Sequence, residues 1–265
     1  MAGRRLLRNA LFLPGILLML SACRAGEPAQ GHDQTELVVA AASSLQDVMR
    51  DIRETFEKEH PDVELTFHFG SSGSLKQQIA RGAPVDVFIS ASEDHVKELI
   101  QKERMRKADT QKIMKNRLVL ITPAEVSSSI TRVEDLTTVG LKTAAGVPES
   151  VPAGAYAKEA LEYYGIWNEI ENQLVRAKNV RQVLTYVENG NVDAGFVYKT
   201  DALVSGNVQV VKEIKEGAVT PIIYPAGIVT GTKHKKESQE LLAFLTSDKI
   251  PDIVSEYGFE TETIK

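Results

Sequence analysis

Leu37-Val38-Val39-Ala40-Ala41-Ala42-Ser43-Ser44-Leu45 reads as a short buried strand that runs into a serine-rich turn. The same unit returns from Leu65, where Leu65-Thr66-Phe67-His68-Phe69 runs into Gly70-Ser71-Ser72-Gly73-Ser74-Leu75. Helical periodicity follows each turn. A helix start presents backbone N–H groups without intrahelical partners, together with the positive end of the helix dipole. Serine hydroxyls at such a start add further donors. Two of these turns brought side by side form a neutral, donor-rich pocket suited to an anion.

Outward from these turns, apolar runs alternate with helical stretches. Strands are expected over residues 37–41, 63–69, 86–90, 118–122, 141–144, 174–177, 194–198, 208–211 and 222–229. Helices are expected over 45–59, 75–81, 93–102, 133–136, 153–164, 180–189, 235–246 and 250–257. This alternation predicts an α/β architecture with mainly parallel pairing. Ser44 with Asp47, Ser74 with Gln77 and Asn179 with Gln182 have capping-box spacing, and Pro152 suits a first helical turn. In open α/β sheets, ligands sit outside the carboxyl ends of the strands, where these turns lie.

The first 22 residues read as a leader. Arg4, Arg5 and Arg8 form a basic stretch, residues 11–20 an apolar one, and Leu20-Ser21-Ala22-Cys23 resembles a lipoprotein processing site. Cys23 is then the lipidated first residue of an extracytoplasmic, membrane-anchored protein, with residues 23–35 as a polar tether. Cys23 is also the only cysteine, so the exported domain carries neither a disulfide nor thiolate chemistry. The chain of 265 residues has a net charge of −5. The leader contains three arginines and no acid, so its loss leaves −8. That balance argues against a nucleic-acid partner. It leaves an anion ligand open, because local dipoles in a cleft outweigh distant, screened charge.

Catalytic signatures are lacking. The five histidines (His32, His60, His68, His95, His234) show no metal-ligand spacing. Gly70-Ser71-Ser72-Gly73-Ser74 looks superficially like a nucleophile elbow, but no histidine is placed to act as its base. There is no P-loop and no complete GxGxxG. Glu54/Lys58, Glu93/Lys97 and Glu98/Lys102 read as solvated i,i+4 pairs on helix faces. The chain is therefore read as a non-enzyme, with no cofactor.

Several segments, in order, resemble the bacterial molybdate-binding proteins, the extracytoplasmic receptors of molybdate ABC importers. They are residues 40–45, 69–75 and Gly82-Ala83-Pro84-Val85-Asp86-Val87-Phe88-Ile89-Ser90-Ala91. After these come Val151-Pro152-Ala153-Gly154-Ala155-Tyr156-Ala157-Lys158-Glu159-Ala160-Leu161, Asn179-Val180-Arg181, Gly195-Phe196-Val197-Tyr198 and Tyr257-Gly258-Phe259. The resemblance implies a type II periplasmic-binding-protein fold: two α/β lobes joined by two crossover strands, with the ligand in the cleft. Residues 36–116 plus 226–265 would form lobe 1 and 117–225 lobe 2, with crossovers near 118–122 and 222–229. It also implies the ligand shell: hydroxyls of Ser44 and Ser72 from the first lobe, backbone N–H groups of Ala153 and Val180 and the hydroxyl of Tyr198 from the second. Alignment on Leu45 selects Ser44, with Ser43 as the alternative. Gly73 stands where some relatives have a third serine, so a donor there has to be backbone. The implied partners are molybdate or tungstate, an ABC permease and the membrane through the lipid on Cys23. The protein itself is expected to be a monomer.

Molybdate is a fully deprotonated tetrahedral dianion near neutral pH, so its site needs donors only. Phosphate retains a proton and calls for an acceptor, and no acid occupies the matched positions. An acceptor facing a buried acceptor costs about 1–3 kcal/mol. Sulfate is also a donor-only ligand, so its exclusion must come from cavity size. A sulfate or thiosulfate receptor is therefore the alternative reading, and tungstate is indistinguishable from molybdate on these grounds.

Overall fold

The computed structural model describes residues 34–125 and 129–261. The leader, Cys23 and the tether up to Asp33 lie outside the described residues. β1 (Thr35–Ala42) opens the fold at the last residue assigned to the tether, and its final four residues are all buried. A 3-10 turn (Ser43–Leu45) separates it from α1 (Val48–Glu59), whose buried Val48, Met49, Ile52 and Phe56 recur at helical spacing. Next come β2 (Val63–Gly70), α2 (Ser72–Ala80), β3 (Val87–Ile89), α3 (Glu93–Gln101) and β4 (Met105–Asn116). β5 (Leu118–Pro123), β6 (Thr143–Gly146), α4 (Pro152–Tyr163), α5 (Trp167–Ile170), β7 (Val175–Ala177), α6 (Val180–Glu188), β8 (Ala194–Tyr198), α7 (Lys199–Leu203) and β9 (Val208–Glu213) follow. β10 (Ile222–Val229), α8 (Lys235–Phe244), α9 (Ile250–Glu256) and β11 (Glu260–Thr261) complete the order.

The strands form two sheets. One has six strands in the order β11-β4-β10-β3-β1-β2, the other five in the order β7-β6-β8-β5-β9. β4 passes into β5 through Arg117 alone, and residues 214–221 lead from β9 back to β10. The chain therefore leaves the first sheet and returns to it, and residues 118–123 pair within the second sheet while 222–229 pair within the first.

Pairing is mixed, contrary to the mainly parallel expectation. β1–β2, β1–β3, β6–β7 and β6–β8 are parallel, whereas β10 runs against β3 and β4, β11 against β4, and β5 against β8 and β9. The antiparallel members flank the two crossings. A chain that passes straight from one sheet into the other has no crossover helix with which to restore its direction.

Two capping assignments also differ. Ser44 lies inside the 3-10 turn, and the α1 start has no side-chain cap. Ser71, not Ser74, caps α2, its Oγ accepting the Ser74 N–H. Asn179 does cap α6, accepting the Gln182 N–H at 2.9 Å, and Pro152 opens α4. Two of the charged pairs are remade between elements: Glu98 pairs with Lys76 and Glu93 with Lys112.

Candidate functional site

Every parallel strand near the middle of either sheet ends in a turn that starts a helix. In the first sheet Ala42 and Gly70 are in register, so the turns after β1 and β2 are adjacent. In the second sheet β6, β7 and β8 are likewise neighbours, and they end at α4, α6 and α7. These turns meet around one small cavity. Ser44, Ser72, Ala153, Val180 and Tyr198 all line it, as does Ser43. No lining residue is charged.

Ser72 is the first residue of α2, and its Oγ accepts the Ala91 N–H at 3.0 Å. Its own proton is thereby left for the cavity. Ser44 is buried and its Oγ lies 2.9 Å from the Tyr224 hydroxyl. Ala153 is the second residue of α4 and Val180 the first of α6. Their N–H groups are among those with no acceptor within the helix. Gly154 lets α4 begin this close to its sheet: a Cβ there would lie 2.1 Å from the Gly146 carbonyl oxygen. Tyr198 is fully buried, and its hydroxyl makes no hydrogen bond among the described residues. Burial pushes its phenol well above the ordinary value, so it stays protonated and able to donate. A buried donor without a partner, at the wall of a cavity, is what an anion would satisfy.

Gly73 is occupied differently. Its N–H donates to the Ser150 carbonyl at 3.0 Å, bridging α2 to the segment before α4. It is therefore not a donor to the cavity.

Beside the cavity lies a charged cluster: Asp47 and Arg181 figure in the sequence only as a capping partner and a motif residue, and Asp201 not at all. Arg181 pairs with Asp47, just ahead of α1, and with the fully buried Asp201 of α7, each at 2.6 Å. Asp201 also accepts the Tyr198 N–H at 3.2 Å. Burial raises the Asp201 carboxyl to about 6, with Arg181 and the Tyr198 N–H pulling the other way. Burial opposes the charge on Arg181, but its two carboxylate neighbours outweigh that and its pKa is raised. Tyr224 and Asn116 carry no signal of their own in the sequence, and Ala91, though it ends one of the segments quoted above, has no site role there. Within the sequence they are ordinary members of a strand or a loop, and only the fold brings them to the serines. Among the described residues no group of three or more histidine, cysteine or acidic side chains is arranged to hold a metal ion.

Residues 37–260 match the family model of bacterial extracellular solute-binding proteins. A Bacillus subtilis protein, provisionally named an ABC transporter substrate-binding lipoprotein, is 42% identical over 246 residues, 92% of this chain and 94% of its own. A Haemophilus influenzae molybdate-binding protein is 35% identical over 231 residues, 86% of this chain and 91% of its own. The solved periplasmic molybdate-binding protein of Azotobacter vinelandii superposes with a TM-score of 0.75, at 22% identity, over 84% of this chain and 98% of that one. That last likeness establishes the shared fold.

Proposed function

The chain belongs to the bacterial extracellular solute-binding protein family, and we propose that it captures molybdate, tungstate equally, and hands it to an ABC import permease. The observation that carries this reading is the cavity lined wholly by neutral groups, several of them donors and none of them an acid. Ser44, Ser72 and Tyr198 supply hydroxyl protons, and Ala153 and Val180 supply backbone N–H groups. The dianion is balanced by aligned N–H dipoles at the starts of α2, α4 and α6 rather than by a lysine or arginine. The names of the relatives support molybdate over other oxyanions.

On this reading residues 36–116 plus 226–265 are one lobe and 117–225 the other, with residues 222–225, the entry of the crossover strand β10, already paired in the first lobe's sheet. Binding draws them together, since the donors are divided between them. Lipidation at Cys23 tethers the receptor to the outer face of the cell membrane, where it acts as a monomer, with no enzymatic turnover.

Thermal unfolding with molybdate, tungstate, sulfate and phosphate in parallel tests the reading. A ligand present at a thousand times its Kd stabilises by about 4 kcal/mol, a shift of several degrees. Molybdate and tungstate are expected to raise Tm while sulfate and phosphate do not. An equal rise with sulfate replaces the reading with a general oxyanion receptor, and no rise with any of the four removes it.

A further inference from the structure

The Ser44 hydroxyl sits at the end of a chain of hydrogen bonds whose direction is set far from the cavity. The Arg117 backbone N–H donates to Asn116 Oδ1 at 2.8 Å. That bond fixes which way the Asn116 amide faces. Its Nδ2 lies 2.9 Å from Thr200 Oγ1 and 3.3 Å from the Tyr224 hydroxyl oxygen. An amide nitrogen only donates, so the Tyr224 oxygen accepts. Tyr224 is fully buried, keeps its proton and must place it on an acceptor. Ser44 Oγ, at 2.9 Å, is that acceptor. The Tyr198 ring packs edge-on against Tyr224 at 5.9 Å, but the Tyr198 hydroxyl shares no hydrogen bond with it. With Tyr224 donating to it, the Ser44 hydroxyl has no acceptor for its own proton among the described residues, and that proton turns to the cavity.

We infer that Tyr224 and Asn116 are positioning residues that lock Ser44 as a donor and thereby make the cavity discriminate against tetrahedral anions that carry a proton. Ser72 is locked in the same sense by the Ala91 N–H. A serine free to donate to a protein neighbour can turn a lone pair to a protonated ligand; one that its neighbour donates to can do so only at the cost of leaving its own buried proton unpaired. The inference rests on the oxyanion-receptor reading and deepens it by naming what separates a donor-only anion from hydrogen phosphate.

The test compares Tyr224→Phe with the wild-type chain, using molybdate and inorganic phosphate at mildly alkaline pH, where both are dianions and phosphate carries one proton. The ring is kept and only the hydroxyl is lost. Molybdate affinity is expected to fall about tenfold, the equivalent of one hydrogen bond. Phosphate affinity is expected to hold or rise, so the molybdate-to-phosphate ratio falls by tenfold or more. A merely structural role would lower both in proportion. Asn116→Asp is the second variant: its carboxylate accepts from Tyr224, turns that proton away from Ser44 and lowers the same ratio with the tyrosine in place. An unchanged ratio in the folded variants overturns the inference. So does neutron diffraction of the wild-type protein that finds the deuteron on Ser44 along the Ser44–Tyr224 line. If the wild type takes sulfate rather than molybdate, the functional reading fails, and the sulfate-to-phosphate ratio tests the relay instead.

Discussion

Ser72 accepts a backbone N–H and Tyr198 has no protein partner, so each hydroxyl has a proton free for the ligand and each can be removed singly. Ser72→Ala is expected to weaken molybdate binding by about 1–3 kcal/mol, because a buried acceptor is left short of one donor. Tyr198→Phe should act alike, since the wild-type hydroxyl has no protein partner to lose. Wild-type affinity in both variants, measured by calorimetric titration, would sink the assignment. Asp201 makes a separate prediction. Its carboxyl is raised from 3.8 to about 6. Folding therefore favours its protonated form, and its contribution to stability is present below about pH 4 and lost as pH rises through 6. The stability of the wild type relative to Asp201→Asn should fall between those limits, by up to roughly 3 kcal/mol. Melting curves taken across that range would show a constant difference if Asp201 titrates normally.

Among the elements, the start of α2 governs how closely the two sheets approach. A Cβ on Gly73 would lie 2.5 Å from the Ser150 carbonyl oxygen, which belongs to backbone and cannot swing aside. Gly73→Ala is therefore expected to leave the ligand-free melting temperature nearly unchanged yet weaken molybdate binding about tenfold or more, through separation of α2 from α4. Undiminished affinity would show that the approach is not needed for binding. This element also shows what the sequence could disclose. The serine turns, the α4 start at Pro152 and the α6 cap at Asn179 were legible because strand, turn and helix signals fall within a few residues of each other. β4 was not. Met105–Asn116 is dominated by charged and polar residues, and its burial is irregular where its pairing with β10 is shifted. The segment has no apolar run to announce it. α7 has five residues, too few for a helical period to emerge. Ser74 has capping-box spacing to Gln77, but Ser71 caps α2 one turn earlier and accepts the N–H of Ser74 itself.

For the whole molecule, the contacts between the two halves include more than the site itself. Tyr156 donates to the Ala91 carbonyl at 3.3 Å, Gly73 to Ser150, and Arg181 joins Asp47 to Asp201. Arg181 thus links the element that follows Ser44 to the strand end that carries Tyr198. Long-range links of this kind cannot be read from spacing, because Asp47 and Arg181 are ordinary helix-start residues until the fold joins them. Asp47→Asn keeps the shape of the side chain and weakens the link without leaving Asp201 unpaired. It is expected to lower molybdate affinity about tenfold, mainly by faster release, with little change in the ligand-free melting temperature. Small-angle scattering should show the ligand-bound wild type as the more compact of the two at equal, subsaturating molybdate. Identical release rates would remove Arg181 from the account of closure.

The cavity as a donor-only molybdate site is tested most directly by anomalous diffraction at the molybdenum edge, on crystals grown with molybdate. One strong peak is expected between the starts of α2, α4 and α6, with Ser44, Ser72, Ala153, Val180 and Tyr198 all within hydrogen-bonding distance of the molybdate oxygens and no carboxylate among them. A peak elsewhere, or an ion held by a lysine, an arginine or an acid in place of these donors, contradicts it.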